Sequence, residues 1–420
     1  MRWVVAAVVC SMFIGAGVAL AQEAPSVVNG DFEGQFANGV AEGWKTWTDP
    51  WGDREYHDET AAPRGGEHAQ GWTAKQSSSG IYQVVKGTTG GQAYRLTMWI
   101  MYQTPGAMWA ECGFDARGGT DQSEVHWTKL ETTGPAGQWL KYERALVAEG
   151  KAVSVWCKWG TVTNVECRGL ADDVSLVPAA AAEIPWCSIS GRVWLADGRP
   201  LRNATITAKP GGQTATSAED GSFAIPNMYR DHYRFTASKP GYVPEESETI
   251  EIEPGKPGEV NISLKPIDYV AGGDFESAFI EGIPAYWAPW HEGPGPGTYA
   301  RSTDARRGGD AAAEWRVDAG RAGLRQVVAG LQAGTRYQLN AWLRSALGGQ
   351  AACGYSLSGD VDVAKASWLP EPPTGPDGWC QYQAQIVPQE DRITIWLAGS
   401  AGPVWADDIS LIRHDPDVID

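Results

Sequence analysis

The chain is short of positive charge and of histidine, and it has no second apolar run and no paired-cysteine motif. Only 6 of its 420 residues are histidine, and none stands in HExxH or HxxE spacing, which excludes the usual zinc hydrolases. No GxSxG is present, so the nucleophile turn of an esterase is missing. No CxxC occurs, which removes the common zinc and redox motifs. Against 34 Lys and Arg stand 51 Asp and Glu, a formal charge of −17. Nucleic acid and anionic lipid are poor partners for such a surface, because phosphates are held by Lys and Arg. Runs at helical spacing are scarce, whereas 51 Gly, 26 Pro and 21 Trp favour short strands joined by turns.

What the sequence does contain begins with an export signal. Arg2 precedes the apolar run Val4 to Leu20, and Ala19-Leu20-Ala21 suits a cleavage site, so residues 1–21 read as a signal peptide. The run is too short and too one-sidedly flanked for a membrane span, and Cys10 lies inside it instead of after a lipobox. The expectation is a secreted or periplasmic protein without membrane insertion. The remaining cysteines are Cys112, Cys157, Cys167, Cys187, Cys353 and Cys380, an even set that favours disulfides after export. Cys353 and Cys380 are the candidates in the last domain and are expected to pair; connectivity among the other four is open.

The chain repeats itself. Val28-Asn-Gly-Asp-Phe-Glu33 returns as Ala271-Gly-Gly-Asp-Phe-Glu276, Arg64-Gly-Gly-Glu67 as Arg307-Gly-Gly-Asp310, and Tyr94-Arg-Leu-Thr-Met-Trp99 as Tyr337-Gln-Leu-Asn-Ala-Trp342. Both copies close on one phrase, Ala171-Asp-Asp-Val-Ser-Leu176 and Ala406-Asp-Asp-Ile-Ser-Leu411. Constant order marks a duplication. Between the copies, Asp197-Gly198 and Asp220-Gly221 are hairpin turn pairs set among β-branched runs. The expected fold is all-β, with modules at 22–178 and 267–414 around a smaller sandwich at 183–266.

The middle segment resembles the carboxypeptidase regulatory-like domain, a transthyretin-like or Ig-like sandwich. Ile189-Ser-Gly-Arg-Val193, Asp220-Gly-Ser-Phe223, Tyr233 and Lys239-Pro-Gly-Tyr242 carry the likeness. It departs from the family at Arg230-Asp231-His232, where a glycine turn is usual. Such domains are mostly spacers, so the resemblance implies no peptidase activity. The repeated module resembles the galactose-binding-like jelly-roll carbohydrate-binding modules of families 4, 9 and 22. Gly30-Asp-Phe-Glu33, Gly43-Trp44, the Tyr94 to Trp99 strand and Asp172-Asp173-Val carry it, as do their counterparts in the second copy.

Period-two alternation sorts the aromatics. Trp99 shares a face with Arg95 and Thr97, and Trp342 with Gln338 and Asn340. Trp156 falls beside Ser154 and Lys158, and Trp396 beside Arg392 and Thr394. A flat ring among hydrogen-bonding side chains suits a pyranose; a minor core under flanking loops is the bland alternative. Trp99 with Trp156, and Trp342 with Trp396, are therefore expected to form two stacking platforms, with Tyr82 and Arg325 at one equivalent outward position. Trp72, Trp315, Trp44 and Trp287 read as core. Trp47, Trp51, Trp109, Trp127, Trp290 and Trp368 read as loop residues that could wall a cleft, and His126 as a solvated loop histidine.

Glu33 with Asp172 and Asp173, and Glu276 with Asp407 and Asp408, should converge where first and last strands meet. They could hold calcium, with carbonyls from the Gly-rich turns, or make ordinary strand-end hydrogen bonds; the resemblance implies a structural calcium. No Glu-x-Asp-x-x-Glu glycosidase signature appears. The expected function is non-catalytic polysaccharide binding. The alternatives are an exported structural or adhesive β-protein and an accessory of a glycoside hydrolase system.

Overall fold

A computed structural model of the chain describes residues 25–103, 109–132, 135–161, 163–295 and 297–418. The expected signal peptide, residues 1–21, lies outside them. The elements among these residues are β-strands and three short 3-10 turns. No helix among them is long and apolar enough to cross a membrane.

Each outer module is a jelly roll of two five-stranded antiparallel sheets. In the first module, one sheet, here the front, runs in the order Lys45–Thr48, Ser78–Lys86, Ala152–Gly160, Trp109–Asp115, His126–Leu130. The back sheet runs Trp139–Val147, Ala93–Tyr102, Cys167–Pro178, Ala69–Lys75, Asp53–Glu59. The second module repeats both orders. Its front is Ala288–Glu292, Arg321–Ala329, Arg392–Ser400, Gln350–Ser356, Ser367–Trp368, and its back has Tyr337–Ser345 paired with Gly402–Arg413.

The inward sides of the strands make the core, as alternation demands. Leu96, Met98, Val153, Val155 and Trp72 are buried between the sheets of the first module, and Leu339, Leu343, Ile393, Ile395 and Trp315 in the second. Trp72 stacks on Trp159 at 3.3 Å and 5°, joining the two sheets at the centre of the sandwich. Trp44 and Trp287 are also buried, each donating its indole N–H to the backbone of the opening turn, at Asn29 and Gly272.

The middle domain has two sheets, with Cys187–Leu195 parallel to Gly258–Pro266. Gly198 and Gly221 take positive φ in the anticipated turns. The domain is fastened at both ends. Toward the first module, His126 Nδ1 lies 3.1 Å from Asp231 Oδ2, and Tyr229 accepts the Val147 N–H at 2.9 Å. Toward the second module, the tail turns back: Lys239 Nζ reaches Asp415 at 2.7 Å and Asp417 at 3.0 Å, and Val418 packs on the middle core. His126 is thus a buried domain fastener instead of a solvated loop residue, because Asp231 offers its imidazole an anionic partner.

The six cysteines among the described residues are all free thiols. The expected Cys353–Cys380 bond is not made: both are free thiols, Cys353 beside Leu397 on the front sheet and Cys380 beside Leu343 on the back sheet. Cys112 and Cys157 are cross-strand neighbours with sulfurs 3.6 Å apart, and burial pushes the Cys112 thiol up.

Candidate functional site: the front sheets and the Arg-Gly-Gly turns

The front sheet of the first module presents two rows of outward residues, set by strand register. One row reads Trp47, Gly80, Lys158, Glu111, Lys129; the other reads Lys45, Tyr82, Trp156, Gly113, Trp127. Gly80 matters because a Cβ there would stand 2.7 Å from Lys158 Cβ. Its absence lets Lys158 lie down among rings. The ammonium sits 3.7 Å from the Trp127 ring centroid and 5.5 Å from those of Trp47 and Trp109, and pairs with Glu111 at 2.9 Å. The three rings are half-exposed, while the Lys158 side chain is 11% exposed. A cation held against Trp127 and close to Trp47 and Trp109 ties the three half-exposed rings into one cluster.

Beneath this layer lies Trp156, buried, stacked on Tyr82 at 4.3 Å and donating its N–H to Ser154 at 2.7 Å. The second module repeats the grid as Trp290, Gly323, Ala398, Ala352 and as Ala288, Arg325, Trp396, Gly354, Trp368. Where the first module has Lys158 and Glu111, the second has two alanines. Arg321 fills the space from the next row, 4.1 Å over Trp368, and Arg325 lies over Trp396 at 5.4 Å. Trp290 and Trp396 are buried with Val363, Ala366 and Trp368 against them.

The expected platforms are not formed. Trp99 is on the back sheet and Trp156 on the front, so the two rings face opposite sides of the sandwich; Trp342 and Trp396 are separated in the same way. Trp156 and Trp396 are fully buried under the rings just described. Trp99 and Trp342 are half-buried, but a guanidinium covers each: Arg64 and Arg307 lie 3.8 Å over the respective rings. Tyr82 and Arg325 do stand opposite Trp156 and Trp396 in register. The rings that line the front face, Trp47, Trp109, Trp127, Trp290 and Trp368, are strand residues, not the loop residues expected; Trp51 alone of that group is in a loop.

The acids do gather, around the turn that also supplies the guanidinium. Glu33 accepts from Glu67 N and His68 N, which hold its carboxyl below the usual range. Asp172 accepts from Arg64 N, Gly65 N and Asp173 N, yet burial pushes it up to about 6. Asp173 pairs with the Arg64 guanidinium. The second copy is identical: Glu276 takes Asp310 N and Ala311 N, Asp407 takes Arg307 N and Gly308 N, and Asp408 pairs with Arg307. Gly66 and Gly309 have φ of +62° and +54°, and a Cβ on either would fall about 2 Å from the Glu33 or Glu276 carboxylate.

This donor set does not fit calcium. The ion asks for six to eight oxygens with free lone pairs, whereas Glu33, Glu276, Asp172 and Asp407 already accept backbone N–H groups and the charge beside Asp173 and Asp408 is supplied by arginine. No group of three His, Cys, Asp or Glu that could hold a metal occurs among the described residues. Chelator is therefore expected to leave the melting temperature of the full chain unchanged. A rise in melting temperature on adding calcium would show that the arginine gives way to the ion.

With this geometry in view, the chain can be set beside known proteins. Its outer modules are jelly-roll sandwiches, and several carbohydrate-binding modules, a phage tailspike domain and an arabinofuranosidase are among its structural neighbours. A family 61 module solved with β-1,4-galactotriose aligns over 37% of this chain and 99% of its own, at 18% identity and a TM-score of 0.28. A tandem of two family 22 modules from Paenibacillus barcinonensis aligns over 94% of this chain and 99% of its own, at 10% identity and a TM-score of 0.27. Residues 188–265 match the carboxypeptidase regulatory-like domain family. No curated protein matches the chain significantly.

Proposed function

We propose that this is an exported, non-catalytic polysaccharide-binding protein whose primary sugar site is the front face of the first module. The observation that carries the reading is the trio Trp47, Trp109 and Trp127, half-exposed on one sheet face around the Lys158–Glu111 pair. The ring surfaces that Lys158 leaves uncovered receive the C–H side of a pyranose, while Glu111 and Lys129 answer its hydroxyls. The second module keeps two of the rings, as Trp290 and Trp368, but has Gln350 where Trp109 stands and alanines in place of the ion pair, with arginines beside them, so its ligand preference differs. The cation held among the rings, Lys158, is matched by Glu111, while Lys45 and Lys129 stand at the two edges of the face.

Retention of the full chain on insoluble xylan, galactan, cellulose and β-glucan tests the proposal, with tryptophan fluorescence as a second readout. Trp109→Ala is expected to weaken binding by about 1–3 kcal/mol, the range seen for a base stacked on an aromatic side chain, with little change in melting temperature. Wild-type protein that neither adheres to any of these polymers nor changes fluorescence with them would overturn the reading in favour of a structural or adhesive role.

A further inference from the structure

The Arg230-Asp231-His232 segment of the middle domain walls a groove against the first module. The groove encloses about 690 Å³. Glu111 and Trp127 line it on one side, so it opens directly off the face that carries the Trp trio. Across it stand Arg230, His232 and Glu251 of the middle domain. His232 and Glu251 are cross-strand partners, both exposed, and so project side by side. Asp231 cannot serve a ligand in the same way, because its carboxylate is buried against His126.

We propose that this groove extends the sugar site, and that the middle domain holds the part of a neutral polysaccharide chain that runs beyond Trp127. The proposal rests on the reading of the Trp face as a sugar site. Its walls are fixed instead of hinged: the His126–Asp231 contact, the Arg144 guanidinium on Arg230 O at 2.9 Å, and the Tyr229 bond to Val147 set the two domains in place. A site with preset walls loses little ordering entropy on binding. Its chemistry is polar and balanced in sign, with Arg230 facing Glu251 at 3.9 Å. Such a lining favours hydroxyl groups over an anion or a cation. One aromatic ring at the mouth, Trp127, gives the chain a stacking point as it enters.

The test is a chain-length series on the full protein, using xylo-oligosaccharides and β-1,4-galacto-oligosaccharides from disaccharide to octasaccharide. The double variant His232→Ala, Glu251→Ala removes two exposed groups, and an unchanged melting temperature controls for folding. It is expected to bind hexasaccharides and octasaccharides about tenfold more weakly than wild type, the size of one lost charge-assisted hydrogen bond, and to bind disaccharides and trisaccharides equally well. Unchanged affinity at every length, with Trp109→Ala still weakening all of them, would overturn the groove and leave the Trp face standing. An equal loss at all lengths would overturn it too, because the effect would then pass through the face. Failure of the wild type to bind any member of the series would remove the face reading itself, and the groove with it.

Discussion

Trp396→Ala is expected to destabilise the second outer module by about 3–5 kcal/mol, the usual cost of emptying a buried indole site. The ring is fully buried, meets Trp290 edge-on at 5.3 Å and 88°, and has Trp368 beyond it. Three packed indoles leave nothing small enough to collapse into the space. Trp156→Ala in the first module should cost a similar amount, since that ring is equally buried and stacked on Tyr82. The phenylalanine variants separate the two copies. Trp156 Nε1 donates to Ser154, whereas Trp396 Nε1 has no partner, so Trp156→Phe loses a hydrogen bond that Trp396→Phe does not. The difference should be about 1 kcal/mol. Thermal melts of the four variants check this. Unchanged melting with lost polysaccharide retention would return these rings to the ligand.

Why the sequence misplaced them is instructive. Alternation tells which side of its strand a residue occupies, and it did so correctly: Trp99, Trp156, Trp342 and Trp396 all point away from the inter-sheet core. It does not tell which sheet a strand joins, nor what covers an outer face. Trp99 and Trp156 satisfy the same parity rule and still look out of opposite sides of the sandwich. The covering groups were each visible as residues but not as partners. Arg64 and Arg307 belong to the repeated Arg-Gly-Gly turns, yet nothing local says that their guanidinium groups fold back over an indole from another strand. The same rule could have found the exposed trio. Ala110 and Cys112 point inward, which puts Trp109 and Glu111 outward together.

The duplication, the all-β fold and the middle domain were legible because each rests on local signals repeated in order. Paired Asp-Gly turns, alternating apolar residues and the matching GDFE and DD phrases need no long-range contact to be read. Site chemistry did need it. The acids of the closing strand were seen to converge, but whether they meet a metal or backbone N–H groups depends on how a distant turn is presented to them. His126 looked solvated for the same reason: its partner, Asp231, lies in another domain.

Lys239→Met is expected to release the C-terminal tail from the middle domain and to cost about 3–5 kcal/mol, because a buried ion pair is broken by removal of one partner. The lysine is 7% exposed and lies between Asp415 and Asp417; Arg202 at 2.8 Å and Asn203 at 2.9 Å complete the cradle around Asp417. After the substitution the Tyr242 hydroxyl, at 2.9 Å, would be left to answer the charge of the buried Asp415 carboxylate. Acid should undo the same strap without mutation. The hydrogen bonds from Asn203 and Lys239 hold Asp417 down to about 2, against an ordinary value of 3.8. A depressed carboxyl stabilises the fold fully above its unfolded value and loses that contribution as pH falls from 3.8 through about 2. Asp172 works in the opposite sense: raised to about 6, it favours the folded state more as pH drops below that value, so acid does not weaken every carboxylate site alike. Melting temperatures of wild type and Asp417→Asn, taken from neutrality down to the acid limit, isolate the tail. The gap between them should be widest near neutral pH and close as pH approaches 2. A gap that stays constant across that range would mean the aspartate charge contributes nothing to holding the tail.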